Sequence, residues 1–219
     1  MISKNFSKIS AEIPENVCLV AVSKTQANAL ILEAYDIGQR HFGENKVQDL
    51  CDKVVILPKD IHWHMIGHLQ TNKVKYIAGF VHLIHTVDSL KLLLEINKQA
   101  QKHKRVISCL LQFHIAEEEN KFGLNREEAE LILSSESYMQ LKNIEIIGVM
   151  GMASFVQNTS QIKSEFGNLR SIFQQLKDKY FHSQNSFKEI SMGMSGDFQV
   201  AIQEGSTMVR IGSSLFSSI

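Results

Sequence analysis

The sequence has little that would tie it to an oxidising compartment, a membrane or a nucleic acid. Its three cysteines, Cys18, Cys51 and Cys109, lie far apart and show no CxxC or Cys/His spacing. That excludes a disulfide framework and a cysteine-rich metal site, and it reads as reduced thiols in a cytoplasmic protein. No stretch approaches the roughly 20 apolar residues of a membrane span. Met1 to Ser10 lacks the roughly 7–15-residue apolar core of a signal peptide. Neither sign of charge prevails: 23 Lys+Arg balance 23 Asp+Glu, and the longest acidic run is Glu117-Glu118-Glu119. A nucleic-acid partner therefore gains no support. Only two prolines, Pro14 and Pro58, occur, and no Gly/Ser-rich tract, so no linker is expected. What is present is 44% apolar residues over 219 positions. That is enough for one substantial core, and a single domain over residues 1–219 is the expectation.

The stretch Val17-Cys18-Leu19-Val20-Ala21-Val22-Ser23-Lys24 orients the rest. A near-continuous apolar run rich in β-branched residues reads as a strand buried on both faces, as in a parallel sheet. Lys24 falls at its C-terminal end, where α/β folds place their chemistry. Two readings are open there: a charge reaching into water, or a partly desolvated amine able to act as a nucleophile.

Further along, strand and helix signals alternate. The pattern predicts helices over Thr25–Ile37, Lys46–Ile56 and Gln70–Ala78, one from Asp88 or Ser89 to Lys104, one from Asn125, and others over Thr159–Phe181 and Asp197–Glu204. Strands are predicted at His41–Asn45, Ile61–Gly67, Val81–Val87, Arg105–Ile115, Ile144–Met152, Glu189–Met194 and Met208–Phe216. With the first strand, that is eight strand signals separated by helices, preceded by a short N-terminal helical segment. Alternation of this kind implies a parallel sheet with right-handed crossovers, and the count favours an α/β fold of the closed (β/α)8 TIM-barrel type.

In such a barrel the residues that matter collect where strands run into helices. Strand one supplies Lys24 and strand two supplies Gly43-Glu44-Asn45. Strands seven and eight supply Ser191 and Arg210-Ile211-Gly212-Ser213. Loops after strands seven and eight form the usual phosphate site of these barrels; glycine permits close approach and serine adds donors. Arg210 is expected to point the same way as Gly212, either at a ligand or into a salt bridge at the rim. His62, His64 and His68 have no carboxylate or cysteine beside them, and Met65-Ile66-Gly67 breaks the group, so no metal is expected. His64 is instead expected to hydrogen-bond or stack against a planar ligand. An imine-forming lysine, a phosphate site and an arginine between them suit pyridoxal 5′-phosphate (PLP). Lys24 would form a Schiff base, Arg210 would lie at the pyridine nitrogen, and Ser191, Gly212 and Ser213 would surround the phosphate.

The sequence resembles the PLP homeostasis protein family, single-domain barrels related to the N-terminal domain of alanine racemase. The resemblance rests on Leu19-Val20-Ala21-Val22-Ser23-Lys24, Phe42-Gly43-Glu44-Asn45, Trp63-His64-Met65-Ile66-Gly67-His68-Leu69-Gln70-Thr71-Asn72-Lys73 and Lys121-Phe122-Gly123. It continues through Gly148-Val149-Met150-Gly151-Met152-Ala153 and from Ser191-Met192-Gly193-Met194-Ser195 to Gly205-Ser206-Thr207-Met208-Val209-Arg210-Ile211-Gly212. It implies a PLP imine on Lys24, Arg210 beside the pyridine nitrogen, and Ser191, Gly212 and Ser213 on the phosphate, with Asn45 and His64 as further cofactor-binding positions. Three departures stand out. Ser213 replaces a common threonine, Gly196 replaces a common Asp or Ala, and a short Gly/Arg-containing tail is missing after Ile219.

Two functions follow from that resemblance. A racemase needs acid/base groups on both faces of its substrate, and alanine racemases take the second, a tyrosine, from a further domain. No such domain is seen here, and Tyr35, Tyr76, Tyr138 and Tyr180 all fall in helical segments. The expectation is therefore a cytoplasmic, monomeric PLP-binding protein that buffers PLP or supplies it to apo-enzymes, without strong turnover. A PLP-dependent racemase is the alternative. A class I aldolase, which also uses a barrel lysine, would need carboxylates near that lysine, and only Glu44 and Asp88 offer themselves.

Overall fold

A computed structural model describes residues 2–117 and 122–216. Lys121 of the Lys121-Phe122-Gly123 motif, and Glu118 and Glu119 of the acidic run, lie outside the described residues. The chain opens with α1 (Ile2–Ser10), then β1 (Cys18–Val22), α2 (Asn28–Asp36), β2 (His41–Glu44), α3 (Val47–Ile56) and β3 (His62–Met65). A 3₁₀ turn at Thr71–Lys73 leads into α4 (Val74–Ile77), followed by β4 (Leu83–Val87), α5 (Leu90–Lys102) and β5 (Ile107–Phe113). Next come α6 (Arg126–Leu133), α7 (Glu136–Met139), β6 (Ile144–Gly151), α8 (Thr159–Tyr180) and β7 (Glu189–Ser191). The described chain closes with α9 (Phe198–Gln203), β8 (Met208–Ile211) and α10 (Ser213–Phe216). The eight strands are parallel and close in chain order, with β1 beside β8. Every strand's C-terminal end therefore faces one side of the molecule.

Two sets of apolar residues explain the closure. Along each strand they alternate, as the pleat requires. Ala21, Ile84, Cys109, Leu111, Val149, Val209 and Ile211 belong to the large core between strands and helices. Val20, Leu83, Leu110, Met150 and Met208 form a second cluster that fills the barrel interior. The helices contribute regular apolar stripes: on α8, Ile162, Phe166, Leu169, Phe173 and Leu176 are all buried. The starts of α5 and α6 are capped by side chains, as their sequences indicate. The Ser89 hydroxyl accepts from the Leu92 N–H, and Asn125 and Glu128 form a reciprocal capping box.

The expected elements are present, with differences chiefly at their ends: the seventh strand stops at Ser191 rather than Met194, α2 starts at Asn28 rather than Thr25, and the Gln70–Ala78 helix divides into a 3₁₀ turn and α4. The eighth strand stops at Ile211 rather than Phe216. Beyond Gly212 the chain turns into α10, where Leu215 and Phe216 donate to the Gly212 carbonyl. Leu215 and Phe216 are buried, and the Phe216 ring meets Phe6 of α1 edge-on at 6.0 Å. The one-turn helix α7 was not anticipated. Cys18 and Cys51 are half-buried, Cys109 is buried, and none is disulfide-bonded. Among the described residues no helix is long and apolar enough to cross a membrane.

Candidate functional site

At the C-terminal ends of the strands lies a cavity of about 430 Å3. Five of the residues singled out from the sequence line it: Lys24, Asn45, Arg210, Gly212 and Ser213. Val22, Ile66, Met152 and Met194 supply apolar walls, and Ser195 and Asp197 add polar groups. A more open groove of about 610 Å3 shares Asn45 but runs past Lys46, Cys51, Lys73 and Tyr76, away from Arg210 and α10.

Lys24 follows β1 by two residues and is exposed. Of the two readings open for it, the charge reaching into water is the one seen, because the strand ends at Val22 and Ser23 is the last buried position. Lys24 thus stands in the cavity mouth rather than in its wall. It is followed by Thr25 at φ 64°, a left-handed conformation costing a β-branched residue roughly 1–3 kcal/mol. The Thr25 hydroxyl donates to the Lys24 carbonyl at 2.6 Å. Beneath, the Ser23 hydroxyl donates to Glu44 Oε1 at 2.6 Å, and Lys53 Nζ reaches both Glu44 Oε1 (2.6 Å) and the Ser23 carbonyl (2.7 Å). This buried network ties the ends of β1 and β2 to α3. Next to it, Gly67 passes so close to Asn45 that a Cβ there would stand 2.2 Å from the Asn45 carbonyl oxygen. Any side chain at Gly67 would displace Asn45.

Arg210 is buried and pairs in register with Val20 of β1. Its guanidinium donates to Ser191 Oγ at 2.7 Å and to the Gly151 carbonyl at 3.1 Å. Burial lowers its pKa to about 10, with Asp197 opposing, so it stays charged at neutral pH. Burial raises the Asp197 carboxyl, although it accepts the Met194 N–H and faces Arg210. Gly193, at φ 96°, turns β7 so that its carbonyl accepts the Arg210 N–H at 2.9 Å. At Gly212-Ser213 the first N–H groups of α10 have no intrahelical acceptor. The Gly212 N–H donates to Ser195 Oγ at 3.4 Å, and Gly212, Ser213 and Ser195 all line the cavity.

Ser191 and His64 do not line the cavity. Ser191 lies just below it and holds Arg210. His64 is fully buried in the barrel interior, which corrects its expected place against a ligand. It belongs to a row of histidines joined ring to ring. His62 Nδ1 meets His41 Nε2 (3.3 Å), His41 Nδ1 meets His64 Nε2 (2.9 Å), and His64 Nδ1 meets His85 Nε2 (2.8 Å). His85 Nδ1 then meets Ser191 Oγ at 3.0 Å. Burial pushes His64 and His85 well below the usual histidine pKa, and burial with His62 and His82 nearby lowers His41 to about 4. The interior rings are therefore neutral at pH 7, beside a charged Arg210. His68 stands apart, stacked on Phe122 at 4.2 Å and 3.4 Å from Asp88.

Sequence reasoning missed the cavity's carboxylate, Asp197, and the pairing of Glu44 with Lys53. It also missed the row through His41 and His85. The recurrence of histidine on β2, β3 and β4 was the available signal. The loop after β6 borders the cavity through Ser154, Phe155 and Val156. Glu165 of α8 anchors it, accepting the Ser154 N–H and hydroxyl, both at 2.6 Å. Burial raises the Glu165 carboxyl, but these bonds outweigh it and the net shift is downward.

The family model described as alanine racemase, N-terminal domain, matches residues 1–218, which with the closed barrel defines the class. Proteins named pyridoxal phosphate homeostasis protein are similar along nearly the whole chain. The one from Aquifex aeolicus is 39% identical over 199 residues, covering 90% of this chain and 85% of that protein. The one from Synechocystis sp. is 37% identical over 213 residues, covering 96% and 95%. Among solved structures, PipY of Synechococcus elongatus PCC7942 superposes with a TM-score of 0.92 without PLP and 0.87 with PLP bound. It is 33% identical, covering 99% of this chain and 100% of that one. The chain belongs to the pyridoxal phosphate homeostasis protein family.

Proposed function

We propose that this chain binds pyridoxal 5′-phosphate in the cavity at the strand ends, holds it covalently on Lys24, and serves to buffer the cofactor and hand it on. The observation that carries this reading is that an amine, a buried guanidinium and the start of a helix line one cavity. That donor set fits the cofactor's three polar parts: its aldehyde, its ring nitrogen and its phosphate. When bound, PLP supplies an aldehyde that captures amines and a ring that withdraws electrons from them.

The chain's own residues would then divide the work. Lys24 would hold the aldehyde carbon through its amine, the aldehyde oxygen leaving as water. Its exposed position leaves that bond within reach of another amine, as a delivering protein requires. Arg210, charged and fixed by Ser191 and Gly151, would offer a donor to the ring nitrogen and so hold it unprotonated, which would weaken the ring as an electron sink. The Ser213 N–H and hydroxyl would receive the phosphate, joined by the Gly212 N–H and the Ser195 hydroxyl once these exchange their mutual 3.4 Å bond for it. Val22, Ile66, Met152 and Met194 exclude water from the ring faces. Asn45, held by the close passage of Gly67, orients the group from the β2 side. His64 and Ser191 act one layer down by positioning Arg210.

We further propose that the protein is not a strong catalyst. Acid/base chemistry on both faces of a substrate needs a second group opposite Lys24. Among the described residues no tyrosine lines the cavity. The carboxylate there, Asp197, is engaged with the Met194 N–H. Glu44 is spent on Lys53, and Asp88 lies beside His68, which also removes the aldolase carboxylates. A monomer in the cytoplasm, passing PLP to apo-enzymes, completes the proposal. The test is the absorption spectrum of wild type beside Lys24→Ala, before and after adding PLP. The expected result is a visible band, distinct from that of free PLP, in wild type alone. No such band in wild type would contradict cofactor binding, and rapid racemisation of alanine by the loaded protein would contradict the carrier role.

A further inference from the structure

The face of the barrel opposite the cavity carries a cluster that the proposed function does not use. His41 and His62 are the first residues of β2 and β3, and His82 immediately precedes β4. Each offers a ring nitrogen, and these nitrogens all lie within 4.8 Å of one another. We propose that His41, His62 and His82 form a binding site for a divalent late transition-metal ion, with zinc as the representative member.

Distance is the first argument. Nitrogens bound to a tetrahedral zinc at about 2.0–2.1 Å stand about 3.3–3.4 Å from one another. His41 Nε2 and His62 Nδ1 already stand 3.3 Å apart, long for a hydrogen bond and right for two ligands on one ion. His82 completes the triangle. Its ring is stacked on that of His62, with centroids 4.4 Å apart and planes at 10°. Closing the site requires one of these two rings to turn about χ2. Both residues are exposed, and χ2 of histidine is a soft torsion. The fourth position opens to solvent, where a water completes the tetrahedron.

Support behind the ligands is the second argument. A ligating histidine almost always has its other nitrogen held by a partner, which fixes its tautomer and its aim. His41 has this already: its Nδ1 lies 2.9 Å from His64 Nε2. His64 is in turn held by His85, and His85 by Ser191. Each link joins one ring's Nδ1 to the next acceptor, so all three interior rings can carry their hydrogen on Nδ1. A metal on His41 Nε2 favours that arrangement, because it forces the His41 hydrogen onto Nδ1, where it donates to His64. The cluster consists wholly of imidazoles, the ligand type suited to zinc, copper and nickel.

The test uses the purified, tag-free full chain and zinc chloride followed by calorimetry. Expected is saturable binding of one zinc per chain, reversed by EDTA and unchanged by PLP. His62→Ala and His82→Ala should each weaken it by at least about ten-fold, the lower end of what loss of a supporting group costs a metal site. His182→Ala, at an exposed histidine elsewhere, should leave it unchanged. A second readout needs no variant: in nitrogen-15 NMR of the histidine rings, zinc should shift the signals of His41, His62 and His82 first. Absence of saturable binding, binding that persists in both alanine variants, or ring shifts confined to other histidines would overturn the proposal.

Discussion

Glu44 and Lys53 show how much one buried pair decides. Glu44 is fully buried, and its Oε1 takes both the Ser23 hydroxyl and the Lys53 ammonium, while Oε2 has no hydrogen-bond partner among the described residues. Removing the cation would leave a carboxylate stranded in apolar surroundings, at a cost of about 3–5 kcal/mol. Lys53→Met should therefore lower unfolding free energy by that amount in urea titrations. A loss below about 1 kcal/mol, the range of an exposed pair, would show that water reaches the pair. The same substitution should also loosen Lys24, since Lys53 and Ser23 support the turn that carries it. At this scale Lys24, Arg210, Gly212 and Ser213 were legible, because a residue just past or near a strand's C-terminal end must face the mouth. His64 was not, since its depth depends on how the strands stagger around the barrel. Alternation places His62 and His64 on the inner side of β3 but does not say which layer each occupies.

Among elements, the loop after β6 and the turn after β2 border the cavity, and each rests on a local contact. Glu165 holds the first through Ser154. Its carboxyl is depressed below the ordinary 4.5, so the unfolded chain binds the proton more readily. Its contribution is then complete at pH values above about 4.5 and drains away as pH falls through the folded pKa. Wild type should exceed Glu165→Gln in melting temperature at neutral pH, and the difference should shrink on acidification. A gap that widens in acid would reverse the sign argued here. For the second, Gly67→Ala places a methyl against the Asn45 backbone. It should weaken PLP retention more than a Gly167→Ala control on α8, where a Cβ meets only the Glu204 carboxylate, at an ordinary 3.6 Å. Equilibrium dialysis measures both. Element identity was readable wherever apolar spacing ran long, as on α8. It failed at Met208–Phe216, where four-residue pieces of strand and helix, split by Gly212, bury apolar residues equally well.

For the whole molecule, the parallel barrel separates two kinds of polar chemistry. Lys24, Arg210 and the start of α10 gather at one end, and the histidines at the other, with neutral rings between them. This arrangement follows from strand direction alone, which is why the site could be outlined once the strands were counted. The row of histidines could not, because it depends on contacts between three neighbouring strands.

The central claim is that Lys24 holds PLP. The most direct measurement is borohydride reduction of the PLP-loaded protein, followed by digestion and mass spectrometry of the modified peptides. The account predicts one pyridoxyl-modified site, Lys24. Modification confined to Lys46, Lys53 or Lys73, with Lys24 unmodified, would contradict it.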